Sequence, residues 1–184
     1  MMLATARCVL RPVAAGDLDP LHRLWSSAGV RRFLWDDEVM PIARAAAAID
    51  QSERLFHDHR FGLWGAWTCP ERAEDPASRR TGEPRELRAF AGMWPFRDPP
   101  EIELVYGVAE ALWGQGVAVE IPRAVIGHCF DTLGLPSVRA STDAANVASI
   151  RVLEKLEFSF LRRSTSAGLD TCSTNCRDDD HDSI

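Results

Sequence analysis

The sequence predicts one domain of mixed α/β (α+β) class, and three observations lead to this prediction. The chain has 184 residues, 46% of them apolar, which suffices for one buried core but not for two ordinary domains. Segments with the two-residue period of strands alternate with segments of helical spacing. Between residues 106 and 120 a strand pattern leads through a glycine-rich turn into a helix pattern. We therefore expect helices packed on a central sheet.

The first third of the chain predicts one strand and two helices. Residues 6–11 alternate between polar and apolar side chains, as in a half-buried strand that Pro12 closes. Asp17 can cap a helix that carries apolar residues at helical spacing. Pro41 suits the first turn of a second helix, which we expect to end near His57.

Three strands are predicted next. Trp and Phe content indicates a strand at residues 61–69, and residues 87–96 and 101–108 are two further predicted strands. The polar stretch 70–85 between the first two is typical of a solvated hairpin loop, and residues 97–100 predict a turn.

The remainder predicts helix, strand, helix and further strands. We expect a helix from the glycine-rich turn to about residue 133, kinked at Pro122 because proline removes a backbone hydrogen bond. A strand near residues 138–142 and a helix over 146–156 follow, with strands from Phe158 onward.

The last residues differ in composition from the rest. We expect residues 1–170 to form the domain and residues 171–184 to be a polar, acidic tail that is solvated and too polar for a central strand. Residues 177–184 hold one Arg and four Asp, so this short segment supplies half of the net charge of −6.

Composition argues against several classes of protein. A nucleic-acid surface would call for a basic patch, whereas this chain is acidic. No apolar run reaches the roughly 20 residues needed to cross a membrane, and no secretory signal pattern opens the chain. Five scattered cysteines, an odd number, are typical of reduced thiols. We expect a cytoplasmic protein with no nucleic-acid or membrane partner.

The turn after residue 113 is a candidate site for a diphosphate. Gly114 and Gly116 let the backbone approach a ligand, and the helix that follows offers unpaired N–H groups and the positive end of its dipole. The cradle would consist of the N–H groups of Gln115, Gly116, Val117 and Ala118. Taken alone, the same glycines could serve only to make a turn.

A second segment, from Asn146 to Phe158, contains Ser149 and the pair Glu154-Lys155. Together, the two segments resemble the GNAT superfamily of acyl-CoA N-acyltransferases, in particular its RimJ/RimL-like branch. The second segment is similar to the pattern N-x-x-S-x-x-x-x-E-K-x-G-F of that family.

The glycine-rich turn is similar to the superfamily's Q/R-x-x-G-x-G/A pyrophosphate loop, with Trp113 in the Gln/Arg place. Residues 7–12 and 17–21 look like the first strand and helix of the family. The resemblance therefore extends over about residues 6–170.

The resemblance implies one acyltransferase domain with a mixed, mostly antiparallel sheet, and an acetyl-CoA-dependent N-acetyltransferase that uses no metal. In such enzymes an amine attacks the thioester directly in a ternary complex, without a covalent enzyme intermediate. Backbone groups of Tyr106, Gly107 and Val108 would contact the acyl-pantetheine, and the Val108 N–H would donate to the oxyanion.

The amine must lose a proton before it attacks, because its reference pKa is about 8 for an α-amino group and about 10.4 for lysine. Glu101 and Glu103 share a strand face by alternation, and residues 103–106 match the family's E-I-G-Y-like segment. Glu103 is the candidate base, directly or through a water. The alternative is an exposed charge paired with an arginine.

The donor to the leaving thiolate is where the chain departs from the family. Many relatives have a tyrosine just before the Glu-Lys pair, where this chain has Leu153. Ser149 is the candidate donor, and Asn146 on the same helical face would bond the pantetheine or the strand backbone. Both residue types also cap helices. Glu157 replaces a glycine, so a left-handed conformation there would be strained.

The acceptor would be a small-molecule amine or a protein N-terminus, and a homodimer is plausible for this family. Trp35, Glu38 and Trp94 fall in stretches that would border the acceptor, where aromatic and acidic groups suit a cationic amine. Core packing of the tryptophans and solvation of the acid explain these residues as well.

No metal site is expected. His57 and His59 would point apart at a helix end, and two cysteines and a histidine near the C-terminus lack a fourth ligand. The alternative function is a CoA-binding or interaction protein that keeps the fold without turnover, favoured by Pro122, Glu157, the missing tyrosine and the atypical tail.

Overall fold

A computed structural model describes residues 1–34, 37–67, 87–96, 101–166 and 169–176, with the backbone alone at 96, 101, 161–166 and 169–176. The predicted hairpin loop at 70–85 and the turn at 97–100 lie outside these ranges.

Within the described ranges, all strands belong to one sheet in the order β1-β2-β3-β4-β5-β6-β8-β7. Every neighbouring pair is antiparallel except β5 and β6, which are parallel. The strands are Leu3–Ala4 (β1), Val9–Pro12 (β2), Leu63–Ala66 (β3), Ala89–Phe96 (β4), Glu101–Val108 (β5), Val138–Asp143 (β6), Ser159–Ser166 (β7) and Leu169–Cys176 (β8).

The α-helices are Leu18–Ser26 (α1), Ala28–Leu34 (α2), Ile42–His59 (α3), Val117–Gly127 (α4) and Val147–Lys155 (α5). Short 3₁₀ turns precede α1 and α4 at Ala15–Asp17 and Glu110–Leu112, and a π-helical turn, His128–Thr132, follows α4. The helix α4 continues through Pro122, which is buried.

Two apolar cores lie on opposite faces of the sheet. Alternate residues of β5 divide between them, as strand geometry requires: Leu104 and Val108 pack with α4 and α5, and Val105 packs with α1 and α3. Phe90 of β4 lies in the second core, edge-on to Trp25 of α1 with ring centroids 5.7 Å apart. The sheet therefore presents two different helix layers to the two faces of β5.

The predicted class, a mixed α/β domain with a mostly antiparallel sheet, is confirmed. The first long strand is shorter than expected, at Val9–Pro12 rather than residues 6–11. Helix α2 was not predicted, because Gly29 and a run of only seven residues weaken the helical signal. Among the described residues, three α-helices rather than two therefore precede β3.

The expectation that the chain from Thr171 is too polar for a central strand is wrong. Strand β8 runs from Leu169 to Cys176 between β6 and β7, with six residues in register on β6. Sheet pairing is made by backbone groups, which polar residues possess as fully as apolar ones. Strand propensity records side-chain packing, so tertiary context can override it.

The cysteines also differ from the expectation of reduced thiols. Cys8 is disulfide-bonded, a pairing that spacing along the chain does not reveal. Cys129 is free and buried, and burial raises the pKa of its thiol to about 12. Within the described ranges, no helix is long and apolar enough to span a bilayer.

Candidate functional site

The strands β5 and β6 separate beside the middle of the sheet. Within the described ranges, Glu103 and Arg139 are the one residue pair in register between them, whereas β4 and β5 share eight. A cleft of about 1110 Å³ opens at this separation, lined by β5, β6, α2, α5 and the start of α4. An unzipped pair of central strands leaves backbone groups available to an extended ligand.

Alternation along β5 decides which backbone groups face this cleft. The N–H of Ala109 donates to the carbonyl of Arg88, on the β4 side, at 2.8 Å. Successive residues of a strand direct their N–H groups to opposite neighbours, so Tyr106 and Val108 direct theirs toward β6. The backbone groups of Gly107 face Phe90 of β4, with which it is in register.

Packing against β4 also explains why residue 107 is a glycine. A Cβ at this residue would lie 2.5 Å from the Phe90 ring, so the glycine admits a core aromatic side chain. The carbonyl of Val108 accepts a hydrogen bond of 2.9 Å from the indole N–H of Trp113. This contact ties the glycine-rich turn to the end of β5.

The glycine-rich turn has the backbone geometry of an anion cradle. Gly114 and Gly116 have φ angles of 72° and 83°, in the left-handed region that favours glycine. In the described part of the chain, none of the N–H groups from Gln115 to Ala118 donates to a protein acceptor. Gly116 is the N-cap of α4, so the positive end of the helix dipole faces the same space.

Helix α2 covers the turn from the other side. Gly29 donates its N–H to Glu110 at 2.6 Å, and a Cβ on Gly29 would lie 2.6 Å from the Trp113 ring. The glycine that obscured α2 in the sequence is thus what allows α2 to approach the turn closely.

Tyr106 and Ser149 join β5 to α5 across the cleft. The Tyr106 hydroxyl lies 2.7 Å from Ser149 Oγ. Burial raises the pKa of Tyr106 to about 12, partly offset by the hydrogen bond with Ser149. The phenol is therefore a neutral donor at physiological pH. Only the backbone of Tyr106 was expected to act; its being the single tyrosine of the chain was the available signal.

Asn146 caps α5, as the alternative interpretation of this residue had it. Its side-chain oxygen accepts a hydrogen bond of 3.1 Å from the N–H of Ser149. The cap fixes the first turn of α5 and with it the Ser149 hydroxyl. Asn146 and Ser149 both line the cleft, and the amide N–H₂ of Asn146 adds a potential donor.

Glu103 lines the cleft on the face of the sheet that α1 and α3 cover. Its side chain is buried, with 5% of its surface exposed, so it is not the exposed strand charge of the alternative interpretation. Arg139 on β6 and Trp94 on β4 are its register neighbours. The other candidate, Glu101, belongs to the residues described by backbone alone.

The three residues expected near the acceptor have different outcomes. Trp35 lies outside the described residues. Glu38 is exposed, Trp94 packs against the second core, and neither is among the described residues that line the cleft. Asp37 does line it and forms an ion pair of 3.3 Å with Arg31 of α2.

The two histidines near the end of α3 have separate partners. His57 Nδ1 lies 2.7 Å from Asp58 on an exposed surface, and His59 stacks on Phe61. No group of three metal-ligating side chains occurs in the part of the chain that the structure describes.

Residues 7–159 match the family model described as "Acetyltransferase (GNAT) domain". A curated relative is the N-acetyltransferase YoaA of Bacillus subtilis (strain 168), which is 24% identical over 161 residues, covering 85% of this chain and 82% of the relative.

Solved structures share the fold. A GnaT-family acetyltransferase from Bordetella pertussis superposes with a TM-score of 0.76 at 20% identity, covering 96% of this chain and 99% of that chain. RimL, a ribosomal alpha-N-protein acetyltransferase solved in complex with coenzyme A, gives a TM-score of 0.74 at 14% identity, covering 95% and 97%.

Proposed function

Because this chain belongs to the GNAT acetyltransferase family, whose reaction is acetyl-CoA-dependent acyl transfer, we propose that it acetylates a primary amine in a ternary complex. The observation that supports this proposal best is the cleft itself. Gly114 and Ala118, which flank the turn N–H groups that donate to no described acceptor, line the same cleft as the open edge of β5.

The cofactor would be held by backbone donors. The diphosphate of acetyl-CoA would accept from the N–H groups of Gln115, Gly116, Val117 and Ala118, and the pantetheine would pair with Tyr106. The N–H of Val108, directed into the cleft, would donate to the thioester oxygen as its negative charge develops. Gly107 would contribute to the close packing beneath that strand.

Glu103 would be the base. A protonated amine loses a proton to its carboxylate, directly or through a water, and the nitrogen lone pair then forms the C–N bond. As the C–S bond breaks, the sulfur takes the electron pair and a proton, and the nitrogen releases its second proton to solvent, from which the donor to sulfur is later reprotonated. Glu103 would also attract the cationic form of the amine into the cleft.

Ser149 would donate that proton to the thiolate, and Tyr106 would in turn donate to Ser149. The 2.7 Å hydrogen bond lets the phenol pass a proton to the serine oxygen as the serine hydroxyl gives one up. This pair supplies the proton donor that the family's tyrosine supplies elsewhere, since Leu153 is buried in the core.

The acceptor would be a small-molecule amine or a protein N-terminus. Trp35, Glu38 and Trp94 stay candidates for the surroundings of the acceptor, although Asp37, Glu103 and Glu110 are the acidic residues near α2 that line the cleft within the described ranges. We propose a cytoplasmic site of action and a homodimer, which size measurement in solution would test.

A thiol-release assay with acetyl-CoA over a panel of amines tests the function. The panel should include spermidine-like polyamines, free amino acids, aminoglycosides and peptides with free N-termini. Amine-dependent release of CoA, with the acetylated amine seen by mass spectrometry, is expected. Tight binding of acetyl-CoA without release for any amine would favour a CoA-binding protein without turnover.

A further inference from the structure

Arg7 connects the N-terminal segment to the turn that we assign to the diphosphate. Its Nη1 donates to the carbonyl of Gln115 at 2.5 Å, and its Nε donates to Glu120 at 2.6 Å. The backbone N–H of Arg7 donates to the other oxygen of Glu120 at 2.9 Å. One residue thus holds both the turn and the first turn of α4.

The carbonyl of Gln115 needs a partner for a geometrical reason. A turn that directs several consecutive N–H groups at an anion has to direct carbonyl groups elsewhere, and in the half-buried Gln115 the carbonyl is partly shielded from water. The guanidinium of Arg7 supplies a charged donor to this carbonyl. The contact favours the conformation in which the neighbouring N–H groups face the ligand.

Arg7 also neutralises the charge of Glu120. Hydrogen bonds from Thr5 and Arg7 outweigh burial and hold the pKa of Glu120 below its usual value, so the side chain is a carboxylate at neutral pH. It lies in the first turn of α4, where an unneutralised negative charge would repel a diphosphate. The Arg7 guanidinium cancels that charge through an ion pair.

We propose that Arg7 is a positioning residue for the diphosphate of acetyl-CoA, acting by capping the Gln115 carbonyl and by neutralising Glu120. This inference rests on the proposed function, because it requires that acetyl-CoA occupy the cleft. Arg7 need not touch the ligand. It acts through the turn. The two are close, because a Cβ built on Gly116 would lie 3.4 Å from Arg7 Nη2.

The test compares ligands with and without a diphosphate. For Arg7→Gln we expect the affinity for acetyl-CoA to fall about 10- to 100-fold, the scale of one charge-assisted hydrogen bond. With acetylpantetheine, which lacks the diphosphate, kcat/KM should not change. Glu120→Gln should weaken acetyl-CoA binding less than Arg7→Gln does. The double variant Arg7→Gln/Glu120→Gln should recover part of the loss, because it removes the uncompensated carboxylate.

A matched control is available in the same segment. Arg11 forms a two-pronged ion pair with Asp17 at 2.6 and 2.7 Å, so its hydrogen bonds join it to its own segment, whereas Arg7 bonds to the glycine-rich turn. Arg11→Gln should lower the unfolding temperature without a selective loss for acetyl-CoA.

Three results would overturn the inference: unchanged acetyl-CoA affinity in folded Arg7→Gln, equal losses for acetyl-CoA and acetylpantetheine, or a double variant as weak as Arg7→Gln alone. If the wild-type protein does not bind acetyl-CoA, the proposed function fails instead.

Discussion

At the scale of single residues, the proposed mechanism assigns a proton acceptor and a proton donor to two side chains of β5. Glu103 and Tyr106 are separated by two residues of β5, so they face opposite sides of the sheet. Glu103 faces the layer of α1 and α3, and Tyr106 faces Ser149 of α5. In the proposed mechanism the strand would therefore carry a base on one side and a proton donor on the other.

Replacing Glu103 by Gln tests the base. Turnover near neutral pH should fall about 100-fold or more, the scale of general base catalysis, while acetyl-CoA affinity is kept. Raising the pH should restore part of the rate, because the free amine then loses its proton to solvent. Steady-state kinetics from pH 6 to 10 measure this; Glu154→Gln, on an exposed position of α5, is the control. An unchanged rate at neutral pH would assign the proton to water.

The phenol of Tyr106 can be titrated by its phenolate absorbance without overlap from another tyrosine, since it is the single tyrosine of the chain. In the native protein the phenolate absorbance should appear with a pKa of about 12, against about 10 in denaturant. The raised pKa means that its contribution to stability is complete below pH 10 and is lost as the pH rises through 12. A native titration near 10 would show that the phenol is not buried against Ser149.

At the scale of elements, the sequence predicted the features that depend on a few adjacent residues. The glycine-rich turn, the start of α5 at Asn146 and the bounds of β5 were all predicted, because turn and cap chemistry is carried by a few adjacent residues. Strand β8 was missed because its pairing with β6 is a contact between distant segments. The Tyr106 to Ser149 contact was missed for the same reason, although both residues were singled out.

The end of α5 offers a stability test. Glu157 has a φ of 66°, and its N–H and that of Phe158 bond back to Glu154 and Leu153. A residue with a Cβ is strained in this conformation, so Glu157→Gly should stabilise the protein by about 0.5–1 kcal/mol. The unfolding temperature should rise by about 1–4 °C. Glu154→Gly, inside the same helix, should lower it; a fall for both variants would contradict the strain.

At the scale of the whole molecule, the fold places one gap in an otherwise continuous sheet. The strands on either side of β5 and β6 are paired along their lengths, and helices cover both faces. The glycine-rich turn at the start of α4 stands at the end of this gap. Backbone groups would thus bind the cofactor, leaving the side chains of α2 and β5 to distinguish acceptors.

The central claim is that the turn at Gly116 holds the diphosphate of acetyl-CoA, and calorimetric titration of acetyl-CoA tests it most directly. Gly116→Asp adds a negative side chain where the anion would bind, so affinity should fall by 100-fold or more, roughly 3 kcal/mol. Gly134→Asp is the matched control, because Gly134 also has a left-handed φ, 65°, and follows the π-helical turn after α4, whereas Gly116 is the N-cap of that helix. It should share the backbone strain and keep the affinity. Unchanged binding to a folded Gly116→Asp variant would contradict the claim.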